Sequence, residues 1–170
     1  PGFLPKCGKI ASPFSWPGKI GYSAMHKSRI LFVINSLAGG GAERVFSRIL
    51  QESVGRSEEY EIAVALLDLD PPAYELPEQF RHFQLDARHS LIRSLVSLRK
   101  VIDEFDPDLG VAFLTRANLA TTGLMRLKGR PSIISERVNP AAHLSTGRLA
   151  GVTRAMVKVG YPMASEILAV

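Results

Sequence analysis

From Arg29 onward the apolar and polar positions fall into two alternating patterns. Ile30-Leu31-Phe32-Val33-Ile34 is an unbroken apolar run, rich in β-branched residues and of strand length. Such a run suits a strand buried on both faces, as in a parallel sheet. Glu43 to Ser53 then carries apolar residues at Val45, Phe46, Ile49 and Leu50, a helical spacing that makes one apolar face. Tyr60 to Leu67 reads as a second strand and Arg81 to Leu85 as a short third. His89 to Phe105 predicts an amphipathic helix with Leu91, Ile92, Leu95, Val96, Leu98, Ile102 and Phe105 toward a core, ended by Asp106-Pro107-Asp108. Leu109 to Leu114 is a fourth strand, followed by a helix from Arg116 to Leu127. Pro131 to Ser135 is a fifth strand, Gly147 to Tyr161 a helix, and Glu166 to Val170 the start of a sixth strand. Strands alternating with helices at this spacing predict βαβ units. The expected fold is therefore α/β, a Rossmann-like doubly wound parallel sheet.

Composition changes this picture little. The chain has 170 residues, 46% of them hydrophobic and 22% charged, which is enough for one ordinary domain with a real core. No apolar run approaches the roughly 18 residues of a spanning helix. The single cysteine, Cys7, excludes an internal disulfide and a cysteine-based zinc site. Residues 1–24 are broken by proline and glycine and follow neither period, and the first methionine is Met25. They read as a disordered or non-native extension, and 25–170 as the folded domain.

The most informative stretch is Ile34-Asn35-Ser36-Leu37-Ala38-Gly39-Gly40-Gly41-Ala42-Glu43-Arg44-Val45. Doubly wound sheets bind ligands outside the carboxyl ends of their strands. Three glycines at the end of the first strand let the backbone turn sharply and bring N–H groups near a ligand. They lead into a helix N-terminus, which favours an anion such as phosphate. The spacing is not the dinucleotide fingerprint, because Arg44 stands where a third spaced glycine would come. No Walker lysine follows. Asp68 ends the second strand, where a dehydrogenase places its ribose-binding acid, so a nucleotide- or dinucleotide-binding oxidoreductase domain stays open as an alternative. So does a non-catalytic subunit that pairs with a separate catalytic one.

Four stations along the chain are familiar. "RILFVINSLAGGGAERVFSRIL" resembles the opening of family 4 glycosyltransferases, whose fold is called GT-B. "FDPDLGVAFLTRAN", "PSIISERVNP" and "ASEILAV" are similar to the family's later strands, in the same order. The resemblance covers Arg29 to Val170 and implies the N-terminal, acceptor-side domain, with a C-terminal donor domain to be expected elsewhere in a longer protein. It implies that a sugar, in this variant an N-acetylhexosamine, is moved from a nucleotide-sugar to a glycan or lipid-linked acceptor in cell-surface polysaccharide synthesis, with retention. The chain alone is then expected to be an inactive fragment. The resemblance further implies a cytoplasmic enzyme, peripheral at the inner face of the membrane, needing no cofactor and no metal. His26, His82 and His89 show no metal-binding spacing either.

By the same resemblance, Gly39, Gly40 and Gly41 form the loop that meets the donor diphosphate. Glu43 and Arg44 match the motif on the acceptor side. A first-turn helix acid and a solvated helix face account for those two residues as well. Glu136, Arg137 and Asn139 follow the fifth strand. Glu136 and Arg137 are the candidate catalytic pair, a carboxylate to orient or deprotonate an acceptor hydroxyl and a guanidinium to clamp phosphate; a structural ion pair is the alternative. Thr115, Arg116 and Asn118 end the fourth strand and line the acceptor side, unless Thr115 simply caps a helix. His143 matches no family position. The net charge of +5 gathers in Arg88, Arg93, Arg99 and Lys100, in Arg126, Lys128 and Arg130, and in Arg148, Arg154 and Lys158. Basic residues beside apolar ones fit an anionic membrane surface. No aromatic interleaving or reader motif points to nucleic acid.

Overall fold

The computed structural model describes residues 27–136 and 150–169. Six strands form one parallel sheet: β1 (Ser28–Ile34), β2 (Tyr60–Leu66), β3 (Arg81–Gln84), β4 (Leu109–Phe113), β5 (Ser132–Glu136) and β6 (Glu166–Ala169). Their order is β3-β2-β1-β4-β5-β6, so the direction of winding reverses between β1 and β4. The helices are α1 (Gly41–Ser53), α2 (Leu91–Phe105), α3 (Thr115–Leu127) and α4 (Ala150–Gly160). The α/β reading and the strand order of a Rossmann-like sheet are both present. The expectation for residues 1–24 lies outside the described residues.

The period of two along β1 divides the core. Phe32 and Ile34 face one side with Ile62, Val64 and Phe113, where Phe46 and Leu50 of α1 cover them. Phe46 meets Phe32 and Phe113 edge-on, at ring separations of 6.1 and 5.3 Å. Leu31 and Val33 face the other side with Ala63, Ala65, Ala112 and Ile134, covered by Leu98, Val101, Ile102 and Phe105 of α2 and by Ala117, Ala120, Leu124 and Met125 of α3. The helices change face as the winding reverses. Between β2 and β3 no helix forms. Residues 67–80 cross there as a proline-broken segment that sends Leu76 and Phe80 into the α1-side core.

Small residues let α3 lie close on the sheet. A Cβ at Gly110 would stand 2.8 Å from Thr121 Cγ2 and 3.0 Å from Met125 Cγ. At the opposite edge from the crevice, Asp108 fixes the start of β4 to β1: its N–H donates to Arg29 O at 2.8 Å and its carboxylate accepts from Arg29 N at 3.0 Å.

The sequence pattern misplaces three apolar side chains. Ile92 and Val96 were assigned to the core but are 75% and 59% exposed, and Ile49 is also exposed. The buried stripe of α2 runs through Ser94, Leu98, Val101, Ile102 and Phe105. Ser94 is polar, so the true face is hidden by its own hydroxyl, while Ile92 and Val96 form a second apolar line, four residues apart, off that stripe. The helix begins at Leu91, not His89, because Arg88 and His89 both hold a left-handed backbone (φ 48° and 56°) and Ser90 caps the first turn by accepting from Arg93 N.

Candidate functional site at the strand switch point

The loops after β1 and β4 leave neighbouring strands in opposite winding directions, which opens a crevice at their carboxyl ends. The glycine loop lies on one side. Gly39 has φ 116°, a conformation that favours glycine, whereas Gly40 is extended. No side chain caps α1, and its first helical bond runs from Arg44 N to Gly40 O at 3.1 Å. The N–H groups of Gly41, Ala42 and Glu43 thus have no helical carbonyl to meet. Glu43 is half-buried, and its carboxylate lies over Gly40, where a Cβ would come within 2.4 Å of it. Arg44 is exposed.

The segment after β2 clasps this loop. Ala73 N donates to Leu37 O at 2.7 Å, the Tyr74 hydroxyl donates to Gly40 O at 3.2 Å, and the Ser47 hydroxyl of α1 donates to Glu75 O at 2.9 Å. Sequence reasoning missed Tyr74. Its partner is a backbone carbonyl, which leaves no trace in residue spacing.

Arg116, in the first turn of α3, reaches away from the acceptor positions to Asp68 beyond β2. It donates through Nη1 to Oδ1 at 3.1 Å and through Nη2 to Oδ2, a bidentate pair across the end of β1. Nη1 also lies 3.4 Å from the Ser94 hydroxyl. Asp68 Oδ1 accepts from His89 N at 2.9 Å, and Oδ2 stands 3.1 Å from His89 Nδ1. The Asp68 side chain is only 3% exposed and that of Arg116 14%. Burial pushes the Asp68 carboxyl up, but the Arg116 hydrogen bond, the His89 N–H and the charges of both residues outweigh it, holding Asp68 below the usual carboxylate value.

Thr115, Asn118 and Glu136 do come together. Glu136 is buried at the end of β5. Its Oε2 accepts from the Thr115 hydroxyl at 3.2 Å, from Asn118 Nδ2 at 3.4 Å and from the Tyr161 hydroxyl. Asn118 Nδ2 also reaches Ser135 O at 3.1 Å and the Tyr161 oxygen at 3.2 Å. Burial first, and then Glu136, raise the Tyr161 phenol well above its ordinary value, against a lowering by Asn118, so it stays a protonated donor. The expectation that Thr115 caps α3 fails. The cap position is Leu114, without a side-chain cap bond, and the Thr115 hydroxyl is spent on Glu136. Arg137, Asn139 and His143 lie outside the described residues.

Asp68, Asp70 and His89 offer one ligand atom each within 4.8 Å of one another, a grouping that spacing in the sequence hides. Arg116 already neutralises Asp68, however, and a cation there would meet the guanidinium at close range. These groups form an ion-pair cluster.

No family model and no curated protein matches the chain. Among solved structures it is similar to MurG of Acinetobacter baumannii, with 11% identity over 84% of this chain and 41% of that one, at a TM-score of 0.53. It also aligns with the apo form of the lipopolysaccharide outer core galactosyltransferase WaaB (17% identity, 64% of this chain and 32% of that one, TM-score 0.49). A UDP-glucosyltransferase from Polygonum tinctorium aligns at 14% identity over 70% and 31%, also at 0.49. The chain shares its fold with part of MurG, and it spans about two fifths of that chain's length and about a third of the length of WaaB.

The pair predicts a pH signature. Asp68→Asn leaves Arg116 buried against a neutral partner and is expected to lower the unfolding free energy by about 3 kcal/mol at pH 7. Because the folded value of Asp68 lies below its unfolded value, the carboxylate's contribution is complete above about pH 4 and is lost as pH falls through the folded value. Urea unfolding at pH 7 and pH 3 should therefore show the gap between wild type and variant closing in acid; an equal gap at both would remove Asp68 as the anchor.

Proposed function

We propose that this chain is the acceptor-side domain of a GT-B glycosyltransferase. The carrying observation is the uncapped N-terminus of α1 behind Gly39-Gly40-Gly41, opening on the strand switch point. In the transfer, the acceptor oxygen bonds to the anomeric carbon, and the bond from that carbon to the diphosphate breaks. Its electron pair leaves with the nucleoside diphosphate. The free N–H groups of the glycine loop face the charge that develops there. Glu136 orients the acceptor hydroxyl and takes its proton, with Arg137 as the phosphate clamp and Glu43, Arg44, Thr115, Asn118 and Asn139 on the acceptor side. The donor is a nucleotide-sugar, proposed to carry an N-acetylhexosamine, and the acceptor is a glycan or lipid-linked glycan of cell-surface polysaccharide. Transfer with retention, without cofactor or metal, belongs to the same proposal.

The oxidoreductase alternative loses its main residue. A ribose-binding acid must offer its oxygens to two hydroxyls, but both Asp68 oxygens are held by Arg116 and His89. Arg116 in turn serves the scaffold and leaves the acceptor list.

No described helix is long and apolar enough to cross a membrane. The outer face of α2 suits a peripheral contact at the inner face of the cytoplasmic membrane. Ile92 and Val96 are exposed beside Arg93 and beside Arg88, which pairs with Asp86 at 3.1 Å, at the crevice end of the sheet. The cluster of Arg126, Lys128 and Arg130 is less available, since Lys128 pairs with Asp103 and Arg130 with Asp108, each at 2.6 Å.

Incubating the intact protein with UDP- and GDP-sugars and a lipid-linked acceptor should release nucleoside diphosphate. Gly39→Val, which forces a branched side chain into a left-handed backbone, should lower kcat/KM by about 100-fold. Release from no sugar nucleotide, together with NADH binding by fluorescence titration, would overturn the reading in favour of the oxidoreductase. For the membrane contact, Ile92→Ser/Val96→Ser should weaken binding to phosphatidylglycerol vesicles by about tenfold; undiminished binding would remove α2 from that role.

A further inference from the structure

Tyr161 belongs to no motif in the sequence. It sits in a single 3-10 turn, Tyr161–Met163, between α4 and β6. Its ring packs against the core cluster on the α2 and α3 side, and its hydroxyl enters a polar cluster beneath α3. Four elements meet there: Thr115 and Asn118 from α3, Ser135 and Glu136 from β5, the β4 terminus through Leu114 N to Ser135 O at 3.3 Å, and Tyr161 from the turn before β6. Three donors converge on one oxygen of one carboxylate.

A buried carboxylate is costly unless its lone pairs are met, and a buried phenol is costly unless its O–H finds an acceptor. Both needs are satisfied by the same contact here. A side chain with three rotatable bonds is held at one oxygen from three directions, which removes most of its rotamer freedom before any ligand arrives. Thr115 and Asn118 lie on one helix, one turn apart, so both donate to the carboxylate from the same element. Tyr161 approaches from a different element and closes the third side. Asn118 Oδ1 and Ser135 Oγ, in the same cluster, are buried with no hydrogen-bond partner among the described residues.

We propose that Tyr161 is a positioning residue: its hydroxyl, with those of Thr115 and the Asn118 amide, fixes the Glu136 carboxylate at the crevice end of β5 in the orientation that the transfer needs. This rests on the glycosyl-transfer reading above and deepens it, since Tyr161 touches no reacting atom and acts only through Glu136.

The test is a double-mutant cycle in the intact protein, read as steady-state transfer with thermal melts alongside. Tyr161→Phe removes one hydroxyl and keeps the ring. It should lower kcat by about tenfold while KM changes less than about twofold, because orientation is lost and binding is not. In a Glu136→Gln background the same change should lower kcat by less than about twofold, since the group being oriented is already gone. A purely structural tyrosine would instead lower kcat equally in both backgrounds, and that additivity would overturn the proposal. If Tyr161→Phe does not fold, Thr115→Val removes another donor to the same oxygen from a different element and must show the same non-additivity; additive behaviour again overturns it. A wild-type protein that turns over no nucleotide-sugar sinks the glycosyl-transfer reading and this proposal with it, whereas an active wild type with an additive cycle sinks this proposal alone.

Discussion

The structure depends on one buried ion pair, the bidentate contact of Asp68 with Arg116. Asp68 follows β2 and Arg116 lies in the first turn of α3 after β4, so the pair spans the end of β1 and ties together the two halves of the sheet where winding reverses. A parallel sheet is open at that point, because no crossover covers it. Something must hold the strand ends without filling the crevice. A guanidinium can do this because its planar fork matches a carboxylate edge to edge. The same contact orients the first turn of α3, and through it places Thr115 and Asn118 against Glu136. The left-handed backbone at Arg88 and His89 is what brings His89 N–H to Asp68.

A second constraint sits beside it. Leu114 has φ 73° and ψ 145°, a region that residues with a side chain seldom occupy. It stands between the end of β4 and the first turn of α3, and its backbone is held on both sides: its N–H donates to Ser135 O and its carbonyl accepts from Asn118 N at 2.8 Å. Strain of this kind persists only where neighbours over-determine the chain. Here the neighbours are the polar cluster around Glu136, which couples the geometry of the strand end to that carboxylate.

Much of the fold was legible from the residues. Continuous apolar runs at Ile30–Ile34 and Tyr60–Leu67 marked two-sided burial, and the glycines after β1 marked the ligand end of the sheet. Proline and aspartate near Asp106 marked the end of α2. The misreadings share a cause. Ile92 and Val96 satisfied a hydrophobic period while the true face of α2 passed through a buried serine, which a scan for apolar residues discounts. The site was half legible. Gly39 to Gly41, Thr115, Asn118 and Glu136 stood out by position relative to strand ends. Arg116 was read as lining the acceptor side, and its pairing with Asp68 was not foreseen because it joins residues 48 apart in sequence. Tyr74 and Tyr161 were invisible for the same reason: their partners are a backbone carbonyl and a distant carboxylate, and a single tyrosine in a loop carries no signal of either.

In the proposed transfer the mouth above β1 and β4 receives a diphosphate through backbone N–H groups. Amide NMR of the intact 15N-labelled protein, titrated with uridine or guanosine diphosphate, tests this most directly. The amides of Gly40, Gly41, Ala42 and Glu43 should shift and saturate together. A folded protein that binds the nucleotide while those four amides stay in place would contradict it.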